Sequence, residues 1–227
     1  MSIKNSYSVE SIPKHETHDW LLFKHYAKRI PLIIYSFGLF KENVLVGICT
    51  FGNPPRALNE GESIFKNSRI KTLELNRLVI NDNLEKNVLS FFVSQVIKML
   101  PSPLCLISYA DYTFGHNGYI YQATNWLYCG LNQIHERQIF YKGKEVHPRS
   151  ITAKNIKISE LPTLDSNYML GDYTKKHRYL KIKANKKLKN RLIKDLIYKI
   201  KSYPKGNNQR YDASYKPQTQ TKLFWII

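Results

Sequence analysis

TLELNRLVINDNLEKNVLSFFVSQVIKMLPSPLCLISYAD, residues 72–111, is the stretch that decides the fold. In TLELNRLVI the residues alternate, with Leu73, Leu75, Arg77 and Val79 on one face and Glu74, Asn76, Leu78 and Ile80 on the other, the period of a strand. The polar NDNLEKN then leads into VLSFFVSQVIKML, a predicted helix whose non-polar positions suit burial and which Pro101 ends. PLCLISYAD follows as a buried strand. A strand that returns through a helix runs parallel to the first, so the stretch predicts a parallel pair with a crossover helix.

Working outward, LIIYSFGLFKE and NVLVGICTFG are β-rich runs joined through the polar KEN, which predicts an antiparallel hairpin, and NPPRALNEGE is a predicted loop. Toward the N-terminus, the pattern in DWLLFKHYAKRIP predicts a helix that Pro31 stops, with Trp20, Phe23 and Ala27 on one face. Downstream, HNGYIYQATNWLYCG predicts a short helix closed by Gly130, and RQIFYKGKEVH a strand or hairpin. Residues 184–201 predict a basic amphipathic helix with Leu188, Leu192, Leu196 and Ile200 at four-residue spacing, packed on the core rather than on a membrane. The expected fold is α/β with a mixed sheet flanked by helices, divided as a core over 1–150 and a basic extension over 151–227 packed on it.

The 227 residues are 43% hydrophobic and 13% aromatic, which excludes a disordered or fibrous chain. No apolar run is long enough to span a bilayer and no leader pattern opens the chain, so a cytoplasmic location without a membrane partner is expected. Cys49, Cys105 and Cys129 are too few and too scattered for a disulfide framework or a zinc spacing, and are expected to be reduced core residues. Lys and Arg number 35 against 17 acids, a net charge of +18, which predicts a polyanionic partner. Between Gly171 and Arg210 stand 14 basic residues and two acids, so +12 of that charge lies in this segment. Tyr, His and Arg interleave with its lysines, which suits duplex DNA, with Lys175, Lys176, Arg178 and Arg210 as the expected phosphate contacts. The oligomeric state is left open, a dimer included.

The P-loop, the nucleophile elbow, H-E-x-x-H and the zinc-deaminase signature are all missing. What remains is the strand-to-helix junction, where free backbone N–H groups and the helix dipole suit a phosphate, with Arg77 and Ser90 adding a charge and a hydroxyl. A second cluster is SYADYTFGHNGYIYQATNWLYCG, residues 108–130. Here Asp111 lies just past a predicted strand end, where α/β proteins place ligands, and His116, Tyr119, Tyr121, Asn125 and Trp126 crowd into a few positions. Asp111 is the candidate general base or metal ligand, and the tyrosines and Trp126 offer stacking surface for a base.

The order strand, phosphate-binding turn, helix, parallel strand and short helix ending in WLYCGL resembles the GNAT superfamily of N-acetyltransferases. More closely, HYAKRIP, GICTFGNPP, LELNRLVIND, the 108–130 motif, KKHRYLKI and YPKGNNQRYDASY together resemble the Mom family of phage DNA-modification proteins, from about His25 to Tyr215. The resemblance implies a GNAT-like, mostly antiparallel mixed sheet. It also implies an enzyme that places a carbamoylmethyl group on the exocyclic amine of a flipped-out adenine, blocking host restriction. It puts acetyl-CoA or a related acyl donor on Arg77 and Ser90, and catalysis and iron on His25, Tyr26, Asp111 and Tyr121. By the residues alone, His25 and Tyr26 are helix surface. The glycines of the GNAT turn are missing from NDNLEKN, so an acyl donor is expected on a looser turn. Two other readings stay open at this level: an acetyltransferase acting on a protein or small molecule, and a DNA-binding protein without catalysis.

Overall fold

Glu42 and Asn43 both take positive φ, 50° and 63°. That is the backbone of the two-residue turn that matches strand twist, and it closes the predicted hairpin between β2 (Tyr35–Lys41) and β3 (Val44–Gly52). The computed structural model describes residues 3–59, 61–112, 115–132, 137–146, 157–173 and 175–206. Its other strands are β1 (Tyr7–Ser11), β4 (Thr72–Ile80), β5 (Leu104–Asp111), β6 (Leu127–Asn132), β7 (Arg137–Tyr141), β8 (Lys144–Val146), β9 (Tyr168–Tyr173) and β10 (Lys176–Lys183). The helices are α1 (Ile3–Ser6), α2 (Arg56–Asn59), α3 (Val88–Met99), α4 (Tyr119–Ala123), α5 (Leu161–Leu164) and α6 (Lys186–Lys194).

Seven strands form one sheet in the order β1-β2-β3-β4-β5-β10-β6, and β8-β7-β9 form a small second one. Within the large sheet only β4 and β5 pair in parallel. This is the mixed, mostly antiparallel sheet expected, with the parallel pair where the 72–111 stretch put it. On β5, Leu104 and Leu106 pack with Phe92, Val93 and Val96 of α3, whereas Cys105 and Ile107 pack with Leu192 and Leu196. Alternation thus buries both faces of the strand. All three cysteines are buried and free, as expected.

Four expectations are corrected. The division at residue 150 fails, because β10 lies between β5 and β6 in the middle of the large sheet. Several of its cations are structural. The Lys183 ammonium donates to the carbonyl oxygens of Ile97 and Lys98, both at 2.8 Å, and to that of Leu100, closing the C-terminus of α3. Lys181 does the same for α4 through Thr124 and Asn125, at 2.8 and 3.1 Å. The Lys183→Met substitution is therefore expected to lower stability by about 1–3 kcal/mol, read from denaturant midpoints at unchanged slope.

The helix over 184–201 is half that length. Asn185 caps its start by accepting from the Leu188 N–H at 2.9 Å, and it ends at Asp195. There the carboxylate accepts the N–H groups of Asn67 and Ser68, the second at 2.6 Å, and Ile197 N–H turns to the Ile64 carbonyl. Leu192 and Leu196 are buried as expected, but Ile200 is exposed. The stretch predicted as a helix closed by Gly130 also splits. It is α4 followed by strand β6, because Asn125 takes φ 56° and Gly130 φ 83° sits at a bulge opposite β10.

The fourth correction concerns DWLLFKHYAKRIP. It forms only one wide π-type turn, Trp20–Lys24, from which His25 leaves extended at ψ 135°. Trp20 and Leu21 are buried while Phe23 is exposed. The turn is fixed by Lys24, a buried ammonium that pairs with Asp82 at 2.9 Å. A charge taken out of water needs such a partner, and Asp82 lies just before α3, so the pair ties His25 to the approach of that helix.

Candidate active site at the parting of β4 and β5

The parallel ladder lasts three rungs, Thr72↔Cys105, Leu73↔Leu106 and Glu74↔Ile107. Past it β4 carries a bulge: Phe51 pairs with Leu75 and Thr50 with Arg77, leaving Asn76 as the extra residue. Thr50 Oγ1 donates to Asn76 Oδ1 at 2.6 Å, and Asn76 Nδ2 donates to the Leu32 carbonyl at 3.1 Å. A Cβ at Gly52 would strike that same carbonyl, so only glycine lets the chain pass. From the bulge onward β4 and β5 no longer pair, so the two strands part there.

Ser108 stands in the gap, its Oγ donating to the Leu75 carbonyl at 2.8 Å and lying 2.7 Å from the Tyr121 hydroxyl. A serine hydroxyl has one proton, so the phenol donates to it. Tyr121 comes from α4, whose start needs Gly118 at φ 68°, because a Cβ there would lie 2.5 Å from the Tyr179 ring. It is buried, with ring centroids 5.1 Å from Trp126 and 5.0 Å from Tyr179. Burial pushes its pKa well above that of a free phenol, so it keeps its proton.

His25 reaches the same place from the π-type turn. Its ring stacks on Tyr26 at 4.4 Å, and Tyr26 meets His116 edge-on at 6.3 Å. Burial, helped by the charge of Arg77 and by His116, pushes the His25 imidazole down to about 3, so it is neutral at neutral pH. Its Nδ1 accepts from the Ala27 N–H at 3.0 Å, which places the ring proton on Nε2. Asp111, buried at the end of β5, opposes the lowering that burial imposes on the His116 pKa. Four of the expected residues, His25, Tyr26, Asp111 and Tyr121, are thus brought to one opening together with Arg77 and His116.

Arg77 lies on β4 beside the bulge and donates from Nη1 to the Asn76 carbonyl at 2.6 Å. Ser90, in the first turns of α3, donates to the Asn87 carbonyl at 2.9 Å. They flank the 81–87 turn, which side chains hold in place of glycines. Glu85 accepts from the Tyr7 hydroxyl and from Lys41 Nζ at 2.7 Å, and these bonds hold its carboxyl down at about 2.

As arranged, the four residues named for iron do not fit it. The lone pair of His25 Nδ1 is taken by Ala27, its Nε2 carries the proton, and Tyr121 is held as a phenol rather than the phenolate that binds a metal. Among the described residues no group of three or more His, Cys, Asp and Glu stands close enough to hold a metal ion. No step below uses one.

Of the expected DNA contacts, Lys176 opens β10 on the rung opposite Asp111, and exposed Lys175 precedes it. Both therefore lie at the end of the sheet that carries the opening. Arg178 instead stacks on the Tyr198 ring at 4.0 Å and lies near Tyr109. Arg210 lies outside the described residues. Sequence reading missed Ser108 and the Lys24–Asp82 pair. The one available signal was a small hydroxyl directly after the apolar run LCLI of β5.

A sequence model of the Mom protein family matches residues 6–205. The methylcarbamoylase Mom of Escherichia phage Mu is 25% identical over 189 residues, covering 80% of this chain and 77% of that protein. Among solved structures, a putative phosphinothricin N-acetyltransferase is 10% identical with a TM-score of 0.45, covering 78% of this chain and 98% of the other. A putative acetyltransferase from Salmonella typhimurium, determined with acetyl-CoA, is 8% identical with a TM-score of 0.42 over 78% and 93% of the two chains. With the match running from the first strand through the last helix and across every residue gathered at the opening, the chain belongs to the Mom protein family.

Proposed function

We propose that the chain is a transferase that places a carbamoylmethyl group on the exocyclic amine of adenine in duplex phage DNA, which then resists host restriction. The observation that carries this reading is the gathering of His25, Tyr26, Asp111 and Tyr121 at the parting of β4 and β5, in a family whose Mu relative is named a methylcarbamoylase. The lysines at the same end of the sheet support a DNA substrate.

An adenine amine is a poor nucleophile, because its lone pair is drawn into the ring, and it needs a base as the new bond forms. Asp111 is placed to take that proton. The amine nitrogen bonds to carbon of the donor, the donor's bond to its leaving group breaks, and the proton removed from nitrogen rests on the carboxylate. Tyr121, a phenol whose proton is held by Ser108, lines the site without giving that proton up, and the leaving group departs as an anion that water then protonates. Neutral His25 offers Nε2–H as a hydrogen-bond donor without adding charge. Because the new bond is to the CH2 carbon of the added group, the donor carries its leaving group on that carbon beside an amide, a simple acyl thioester giving an N-acyl adenine instead; Arg77 and the first turn of α3 at Ser90 receive the phosphates of such a coenzyme-like donor. Lys175 and Lys176 hold duplex phosphates, and the adenine leaves the stack to reach the opening.

The test is mass spectrometry of nucleosides digested from plasmid DNA of bacteria expressing the chain. A heavier deoxyadenosine absent from control cells is expected. Unmodified adenine alongside soluble, DNA-bound protein would overturn the reading.

A further inference from the structure

The turn that delivers His25 to the opening is two-sided. Trp20, Leu21, Lys24 and His25 are buried, whereas Leu22, Phe23 and Tyr26 form its outer edge at 36%, 53% and 40% exposure. Side by side they put apolar surface in contact with water at the mouth of the site. The turn itself is rigid, locked from beneath by the Lys24–Asp82 pair and at its end by the His25 N–H bond to the Trp20 carbonyl at 2.8 Å. Tyr26 joins this edge to the site, since its ring also touches His25 and His116. Exposed Lys28 follows, with half-buried Arg29 next to it. An apolar tip on a rigid turn, backed by cations, at the mouth of a site that takes an unstacked base, complements a duplex: phosphates for the cations and a vacated stack for the tip.

We propose that Phe23, with Leu22 beside it, enters the duplex where the target adenine leaves, and holds the stack open while the base lies in the β4/β5 opening. This rests on the DNA reading above and adds a positioning residue to it. The role accounts for the exposure: about half of the Phe23 surface already faces solvent, where the ring reaches between base pairs. Tyr26 then stands between the wedge and the site, where the extruded base passes.

Two measurements test it on the full chain. In cells, plasmid modification by Phe23→Ala is expected to fall about tenfold or more, since unstacking a step costs a few kcal/mol, while Phe23→Trp keeps most of it. In solution, a duplex carrying 2-aminopurine at its adenine positions should brighten on binding the unaltered chain and stay dim with Phe23→Ala. Anisotropy should show the two binding that duplex within about threefold of each other, because phosphate contacts dominate affinity. Equal brightening by Phe23→Ala, or a parallel loss of binding, overturns the wedge. If the unaltered chain brightens the probe but leaves plasmid adenine unmodified, the wedge stands and the transferase reading fails.

Discussion

Replacing Asp111 by asparagine is expected to lower adenine modification in cells by about 10²- to 10⁴-fold, the usual contribution of a positioned general base. Asparagine keeps the size and most of the hydrogen-bonding capacity of the side chain but has no basic lone pair to receive the amine proton. The backbone at 111 is held independently by its pairing with Lys176 and by the His116 N–H on its carbonyl at 3.1 Å, so the fold should survive. Duplex affinity should stay within about threefold, because phosphate contacts supply most of it. One further sign separates loss of the base from general damage. The Asp111 charge holds the His116 pKa up against burial, so in Asp111→Asn the His116 titration should move lower, measurable by NMR. Unchanged modification would remove Asp111 from the chemistry. Loss of DNA binding along with modification would show that Asp111 shapes the surface rather than the reaction.

The 72–111 stretch was legible because each of its signals was local: alternation, an apolar helix, a proline stop, a buried run. The 42–43 turn was equally plain. What failed depended on partners far away in the chain. KKHRYLKIK reads as a charge run, yet Lys181 and Lys183 are spent on the carbonyl ends of α4 and α3, and the apolar positions between them fill a central strand. Charge counting over 171–210 therefore overstates the cations available to DNA, and cutting the chain after residue 170 would remove a strand from the middle of the sheet. At the site, Asp111, Tyr121 and Arg77 were visible from their places at strand and helix ends. His25 and Tyr26 were not: a helical period put them on a surface, whereas the Lys24–Asp82 pair and the extended exit at His25 swing His25 inward, with Tyr26 stacked on it at the rim. That swing is set by residues 58 positions apart, and no local pattern encodes it.

Stability is expected to fall steeply as the pH drops from about 6.5 toward 3, with His25 as the largest single source. Folded, its pKa is about 3; unfolded, it returns to about 6.5. Below the unfolded value the unfolded chain binds a proton that the native state refuses. The stability this group contributes is therefore complete above about 6.5 and is lost as the pH falls through the window. Over the whole window the loss is on the order of 3 to 5 kcal/mol, a large share of the stability of an ordinary domain. His116 and His177 are lowered by burial as well and push the same way. Glu85, held down near 2 by Lys41 and Tyr7, adds its share only at the acid end. Urea unfolding at pH 7.5 and 5.5 on the unaltered chain and on His25→Gln distinguishes the groups. The unaltered chain should lose about 1.4 kcal/mol more than the variant between those two values, because one group contributes close to that much per pH unit once it titrates only when unfolded. Parallel losses would mean that His25 is charged or solvated in the folded protein, and Nε2–H would then have no place as a neutral donor in the site.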